Sequence, residues 1–250
     1  MILIESVTKR HGSVRAVDDV TLQIGAGLTA VIGPNGAGKS TLLSAVGRLI
    51  GTNAGVITVD GMDVAAARSR DIARRLAILR QDNHLAVRLN VEDLVGYGRF
   101  PHGGSGRTSD DRAHIEDAIE LLDLGAVRTR FLDELSGGQR QRAFVAMAIA
   151  QDTYYLLLDE PLNNLDPRHS VSLMKLLRRL VAERDMTIVV VLHDINVAAQ
   201  FADDVVAMRD GQVVHHGPVA EVITASNLTA LYETDARVDE LGGRRVVLWQ

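Results

Sequence analysis

The chain is predicted to be an α/β protein, and three observations predict it. Short aliphatic runs alternate with helix-like stretches for most of the length, a glycine-rich loop joins one such run to a helix, and another run ends in two adjacent acids. Composition permits such a fold. Of 250 residues, 46% are hydrophobic and only 4% aromatic, so the core is ample and aliphatic side chains must build most of it. A formal net charge of -5 argues against bulk nucleic-acid binding, which needs clustered Lys and Arg. With no cysteines, disulfides, thiolate metal sites and cysteine nucleophiles are excluded, and a reducing compartment fits.

Residues 1–6 and 14–24 alternate as strands, and a turn at 25–27 leads into a buried strand at 28–32. A glycine-rich loop and a helix at 39–48 follow, then strands at 56–59 and 76–79. From 82 to 132 the character changes: helical periodicity at 91–98 and 110–124, separated by a glycine-rich loop at 101–107, predicts a helical insertion with no strand of its own. Alternation resumes with a helix at 138–151, a buried strand at 154–158, an amphipathic helix at 167–183 and a buried strand at 187–192. The tail carries weaker strands at 205–208, 212–215 and 245–249 around a short helix near Ala220. Nothing at 1–13 reads as a signal peptide, and no run approaches the roughly 18 apolar residues of a membrane helix. The expectation is a cytosolic chain that meets a membrane only through a partner.

Gly33-Pro34-Asn35-Gly36-Ala37-Gly38-Lys39-Ser40 matches G-x-x-x-x-G-K-[ST], between a buried strand and a helix as that phosphate loop requires. Its glycines let backbone N–H groups point inward around phosphate oxygens, and the helix dipole adds to the field. Lys39 can reach the β- and γ-phosphates, Ser40 can ligate Mg²⁺, and Thr41 would help hold the α-phosphate. Residues 154–158 lead directly into Asp159 and Glu160, and the carboxyl ends of buried parallel strands face the ligand crevice. Asp159 is thus placed to hold Mg²⁺, and Glu160 to polarise the water that attacks the γ-phosphate.

Leu135-Ser136-Gly137-Gly138-Gln139 opens a helix shortly before that acidic pair and resembles the signature motif of ABC (ATP-binding cassette) ATPases. A hydroxyl, two glycine amides and a helix N-terminus suit an anion. The resemblance runs from the first strand to about Gly217. It implies a P-loop NTPase fold of the ABC type, with a RecA-like core, an antiparallel β subdomain and a helical subdomain. Residues 1–81 and 133–217 would form the catalytic core with the β subdomain, 82–132 the helical subdomain and 218–250 a C-terminal appendage without a readable motif. It also implies a homodimer of cassettes closed head to tail over two ATP molecules, with Ser136, Gly137, Gly138 and Gln139 serving the nucleotide of the opposite subunit. Gln81 matches the glutamine that contacts Mg²⁺ and the attacking water, and His193 the histidine that contacts the γ-phosphate. Two positions depart from the family: His11 stands where an aromatic usually stacks on adenine, and residues 162–166 read Leu-Asn-Asn-Leu-Asp in place of the commoner Ser-Ala-Leu-Asp ending.

Gln81-Asp82-Asn83-His84, Gly98-Arg99-Phe100-Pro101, Gln139-Arg140-Gln141-Arg142-Ala143-Phe144 and residues 160–166 together resemble the ATPases of iron–siderophore importers. That resemblance implies integral-membrane permease subunits, a substrate-binding protein acting indirectly, and a place at the cytoplasmic face of the membrane. Vitamin B12 and haem importers are close relatives, and a soluble assembly-scaffold ATPase of the same type stays an alternative. A chromosome-organising ATPase would split the motifs with a long coiled coil, and no heptad run is present. His215-His216 reads as a strand or loop pair pointing to opposite faces rather than a metal site.

Overall fold

The computed structural model describes residues 1–81, 87–103 and 108–250. Part of the 81–84 segment, the start of the expected helical block and most of the 101–107 loop lie outside the described residues.

Strand β1 (Ile2–His11) pairs antiparallel with β2 (Val14–Ile24), placing His11 opposite Val14. The alternation in the sequence predicts a strand only as far as residue 6. Register shifts after Ile4 break the in–out alternation, which hides the continuation to His11. Strand β3 (Gly27–Ile32) runs into the glycine-rich loop and helix α1 (Lys39–Val46). Next come β4 (Ala54–Val59), β5 (Met62–Asp63), α2 (Ser69–Ala73) and β6 (Leu76–Leu79). Among the described residues, β2, β1, β4 and β5 form one antiparallel sheet in that order.

Helix α3 (Val91–Tyr97) is capped by the Asn90 side chain, and α4 (Ser109–Leu121) by a Thr108–Asp111 capping box. Arg99, 4% exposed, bonds Asp111 at 2.9 Å, Asp110 at 3.2 Å and the Ala150 carbonyl at 3.1 Å, tying α4 to α5 (Gly137–Ala150). The Thr108 N–H, then the Arg99 guanidinium, hold the Asp111 carboxyl down at about 2. No strand occurs between β6 and α5 among the described residues, apart from an isolated bridge joining Asn90 and Phe131.

The chain then alternates through β7 (Tyr155–Asp159), α6 (Pro167–Arg184), β8 (Thr187–Val191), α7 (Ile195–Phe201), β9 (Asp204–Arg209) and β10 (Gln212–Pro218). Tyr154, read as the start of β7, is 68% exposed and precedes the strand, while Asp159 is its last residue. The main sheet has the order β10-β9-β3-β8-β7-β6, parallel throughout except for β10. Its parallel strands are buried on both faces, whereas the edge strand β10 is not. Leu28, Ala30 and Ile32 of β3 join one apolar cluster with α5, α6 and the helical block, whereas Val31 joins a second with α1 and the antiparallel sheet. Continuous aliphatic runs, rather than alternation, are the signature of such strands.

After β10 come α8 (Val219–Val222), α9 (Ala225–Tyr232), β11 (Ala236–Leu241) and β12 (Arg244–Trp249). Neither α9 nor β11 was read from the sequence, because the half-exposed hairpin alternates only weakly. The Gly242-Gly243 turn, both glycines at positive φ, was its available signal. This segment sends Val222, Ile223, Leu228, Leu231 and Val247 into the main apolar cluster. No helix among the described residues is long and apolar enough to cross a membrane.

Candidate nucleotide site

Strand order assembles the site. Because β3, β8, β7 and β6 are neighbours and parallel, their carboxyl ends lie side by side. Those ends deliver Gly33, His193, Glu160 and Gln81 to one edge of the sheet, where ligands bind in open α/β folds. A cavity of about 540 Å³ lies there, lined by Ala16, residues 35–41, Gln81, Glu160 and His193. That volume suits a nucleotide-sized ligand.

Two glycines set the loop's path. Gly33 has φ +145° and Gly38 φ +97°, and a Cβ on either would sit 2.1 Å from a backbone carbonyl, that of Met208 or of Ala16. No other residue type fits there without moving a strand. Lys39, 5% exposed, folds back to donate to the carbonyls of Gly33 at 2.7 Å and Pro34 at 2.9 Å. Burial pulls its ammonium below the usual lysine value, with Glu160 and Asp159 opposing.

The Ser40 hydroxyl donates to Asp159 Oδ1 at 2.9 Å across the gap between α1 and β7. Burial pushes the Asp159 carboxyl above the usual range, with the Ser40 bond opposing and the neighbouring Glu160 adding to the rise. The donor set of Ser40, Asp159 and Gln81 is a hydroxyl, a carboxylate and an amide, the hard oxygens that suit Mg²⁺. Among the described residues no group of three or more His, Asp or Glu could cage a metal alone.

Glu160, 9% exposed, stands just past β7 at φ +50°, in the left-handed region. Its carboxylate is surrounded. Oε2 accepts from Gln81 Nε2 and Asn163 Nδ2, each at 2.6 Å, and Oε1 lies 2.7 Å from His193 Nε2. Asn163 was noted in the sequence only as a family departure. Its three-residue spacing from Glu160, within a turn closed by an Asn163 N–H to Glu160 carbonyl bond of 3.3 Å, was the signal for this contact.

Of the expected site residues, Gly33, Pro34 and Asp159 are not among those that line the cavity, and neither are Ser136 to Gln139 or His11. Ser136 caps α5, its hydroxyl accepting from the Gln139 N–H while Gln139 Oε1 accepts from the Ser136 N–H. Gly137 and Gly138 pack on Asn164 and Leu165 of the same chain. His11 is exposed at the end of β1, and Ala16 of β2 lines the cavity on that side.

A family model described as ABC transporter matches residues 17–163. The chain is 44% identical to the petrobactin import ATP-binding protein YclP of Bacillus subtilis (strain 168) over 98% of both chains. It is 49% identical to the petrobactin import ATP-binding protein FatE of Bacillus anthracis over 94% of both. Among solved structures it is similar to the dimeric post-hydrolysis state of the ATP-binding cassette MJ0796 bound to ADP and Pi. That match has a TM-score of 0.78 and 27% identity over 88% of this chain and 99% of the other.

Proposed function

The chain belongs to the ABC transporter family of ATP-binding subunits, and from that premise we propose that it is the ATPase of a bacterial importer of ferric siderophores. The observation that carries its chemistry is the Glu160 carboxylate, held at the end of β7 beside the phosphate-loop cavity by Gln81, Asn163 and His193.

In this reading the amides of residues 33–41 cradle the ATP phosphates, and Lys39 exchanges its two loop carbonyls for β- and γ-phosphate oxygens. Ser40, Asp159 and Gln81 would hold Mg²⁺, which offsets phosphate charge when bound. Glu160 accepts a proton from the attacking water as it adds to the γ-phosphorus, and the ADP–phosphate bond breaks. His193 holds the γ-phosphate and orients Glu160. Ser136, Gly137, Gly138 and Gln139 serve the nucleotide of a second copy, so two cassettes close head to tail on ATP and reopen after hydrolysis. His11 lies beside the adenine. Residues 82–132, as a helical subdomain, carry that motion to permease subunits at the cytoplasmic face of the membrane, and a substrate-binding protein delivers the chelate on the far side.

Asn163 belongs to this machinery as a positioning residue. Replacing it with Ala removes one donor to Glu160 Oε2 without touching the phosphate loop. The expected result is a fall in kcat of about tenfold, roughly 1.4 kcal/mol, with KM for ATP within about twofold of wild type. Steady-state ATPase assays check this, and an unchanged kcat would remove Asn163 from the mechanism.

The functional test is uptake of radiolabelled ferric siderophore by cells carrying the wild-type chain or Glu160→Gln. Loss of chelate uptake with other nutrients entering normally is the expected result. Unchanged iron uptake would overturn the siderophore reading, and the comparison then moves to vitamin B12, haem and a soluble partner.

A further inference from the structure

The last part of the chain reaches the phosphate loop from behind. Gly33, the first residue of the loop, leaves β3 where its pairing with β9 ends at Ile32 and Ala207. Its N–H donates to the Tyr232 hydroxyl at 3.0 Å. Neither Gly33 nor Tyr232 lines the nucleotide cavity. Tyr232 is the final residue of α9, and its ring meets Trp249 of β12 edge-on, centroids 5.3 Å apart at 78°.

Two further contacts make this a brace rather than a chance touch. Arg209, which follows the Met208 that crowds Gly33, pairs with Glu233 and donates to the Ala230 carbonyl, fixing the end of α9. On the hairpin, the Val247 N–H donates to Asn196 Oδ1 at 2.7 Å and Asn196 Nδ2 donates to the Val247 carbonyl at 3.2 Å. Asn196 lies in the first turn of α7, three residues after His193. One small unit, α9 with the β11–β12 hairpin, is thus bolted both to the start of the phosphate loop and to the segment that carries His193.

We propose that Tyr232 is a positioning residue of the nucleotide site, its hydroxyl holding the first amide of the phosphate loop so that the C-terminal segment sets the chain's affinity for ATP. The physical case rests on what the Gly33 N–H has available. A partly buried amide with no sheet partner needs an acceptor, and one left unsatisfied costs a large fraction of a hydrogen bond's worth. Gly33 also has unusual conformational freedom, so its N–H bond is a restraint the backbone itself does not supply. Burial pushes the Tyr232 hydroxyl up to about 12, and its oxygen accepts the Gly33 N–H. The unit acts through the loop and touches no reacting atom.

The proposal rests on reading residues 33–41 as the ATP site, and the experiment separates the two. A fluorescent ATP analogue is titrated in the presence of Mg²⁺ against wild type, Tyr232→Phe, Trp249→Leu and Lys39→Ala. Tyr232→Phe keeps the ring on Trp249 and removes only the acceptor, so affinity is expected to weaken about five- to tenfold. kcat at saturating ATP should stay within about twofold. Hydrogen exchange of the peptide spanning 32–38 should accelerate in the same variant. Trp249→Leu, which frees the ring without touching the loop, should weaken binding about two- to threefold. If both variants bind with wild-type affinity, and only melting temperature falls, Tyr232 is structural and the proposal is overturned. Lys39→Ala should lose binding, and if it binds as wild type does, the phosphate-loop reading fails and this proposal with it.

Discussion

Glu160→Gln is expected to lose ATP turnover by at least about a hundredfold while still binding ATP, because it removes the general base and little else. The local geometry explains why binding should survive. Oε2 accepts from both Gln81 and Asn163, so the new amide can present its carbonyl there. Its NH₂ then faces His193 Nε2, which becomes an acceptor if the imidazole carries its proton on Nδ1. All three contacts persist with the charge gone, and the side chain keeps the +50° backbone turn that aims it. The variant should also accumulate as a dimer in ATP, since the event that reopens the cassettes is absent. Single-turnover hydrolysis and light scattering with and without ATP measure the two effects. Turnover at the wild-type rate would remove Glu160 from the role of base.

Gly38→Ala should be severely damaging for the addition of a single methyl. At φ +97° an L side chain is strained, at about 1–3 kcal/mol. The new Cβ would also lie 2.1 Å from the Ala16 carbonyl and 3.4 Å from Gly211 Cα, both backbone atoms. They are tied together, since the Asp18 N–H donates to the Gly211 carbonyl and the Gly211 N–H to that of Ala37. Relief requires moving β2 or the β9–β10 turn away from α1, so a loss of about 3 kcal/mol or more is expected, a fall in Tm of roughly 10 °C. ATP binding should fail with it, as Gly38 is the N-cap of α1 and aims its first amides. Gly36→Ala is the control: φ is +80° but nothing lies within 4 Å, so only the backbone strain applies. Calorimetry and nucleotide titration of both variants decide the point, and equal, small effects would mean that the close approach to Ala16 does not constrain the loop.

Much of this was legible along the chain. The phosphate loop, the acids at the end of β7 and the helix opening at Ser136 are contiguous patterns, and each needs particular residue types at fixed short spacing. Buried parallel strands announced themselves as aliphatic runs because both faces are covered. Where signals failed, they failed for identifiable reasons. Bulges in β1 broke the alternation that would have carried it to His11. Helix α7 is only seven residues long, too short for a convincing apolar stripe, and its start is marked chiefly by the Asp194 cap.

The sequence by itself determined the motifs suited to phosphate, the alternation of the main buried strands with helices, and the family to which those patterns belong. Tertiary structure alone decided which of them meet. Gln81 and Glu160 are 79 positions apart and become hydrogen-bonded because β6 and β7 are adjacent in the sheet. Asn163 lay in a motif segment that assigned it no role and Tyr232 in none, and it is the fold that sets the one beside Glu160 and the other beside Gly33. The reason is physical. A motif encodes local backbone geometry through nearby side chains and glycines, whereas a side-chain hydrogen bond between distant segments is settled only when burial of the apolar clusters fixes their separation to within a fraction of an ångström.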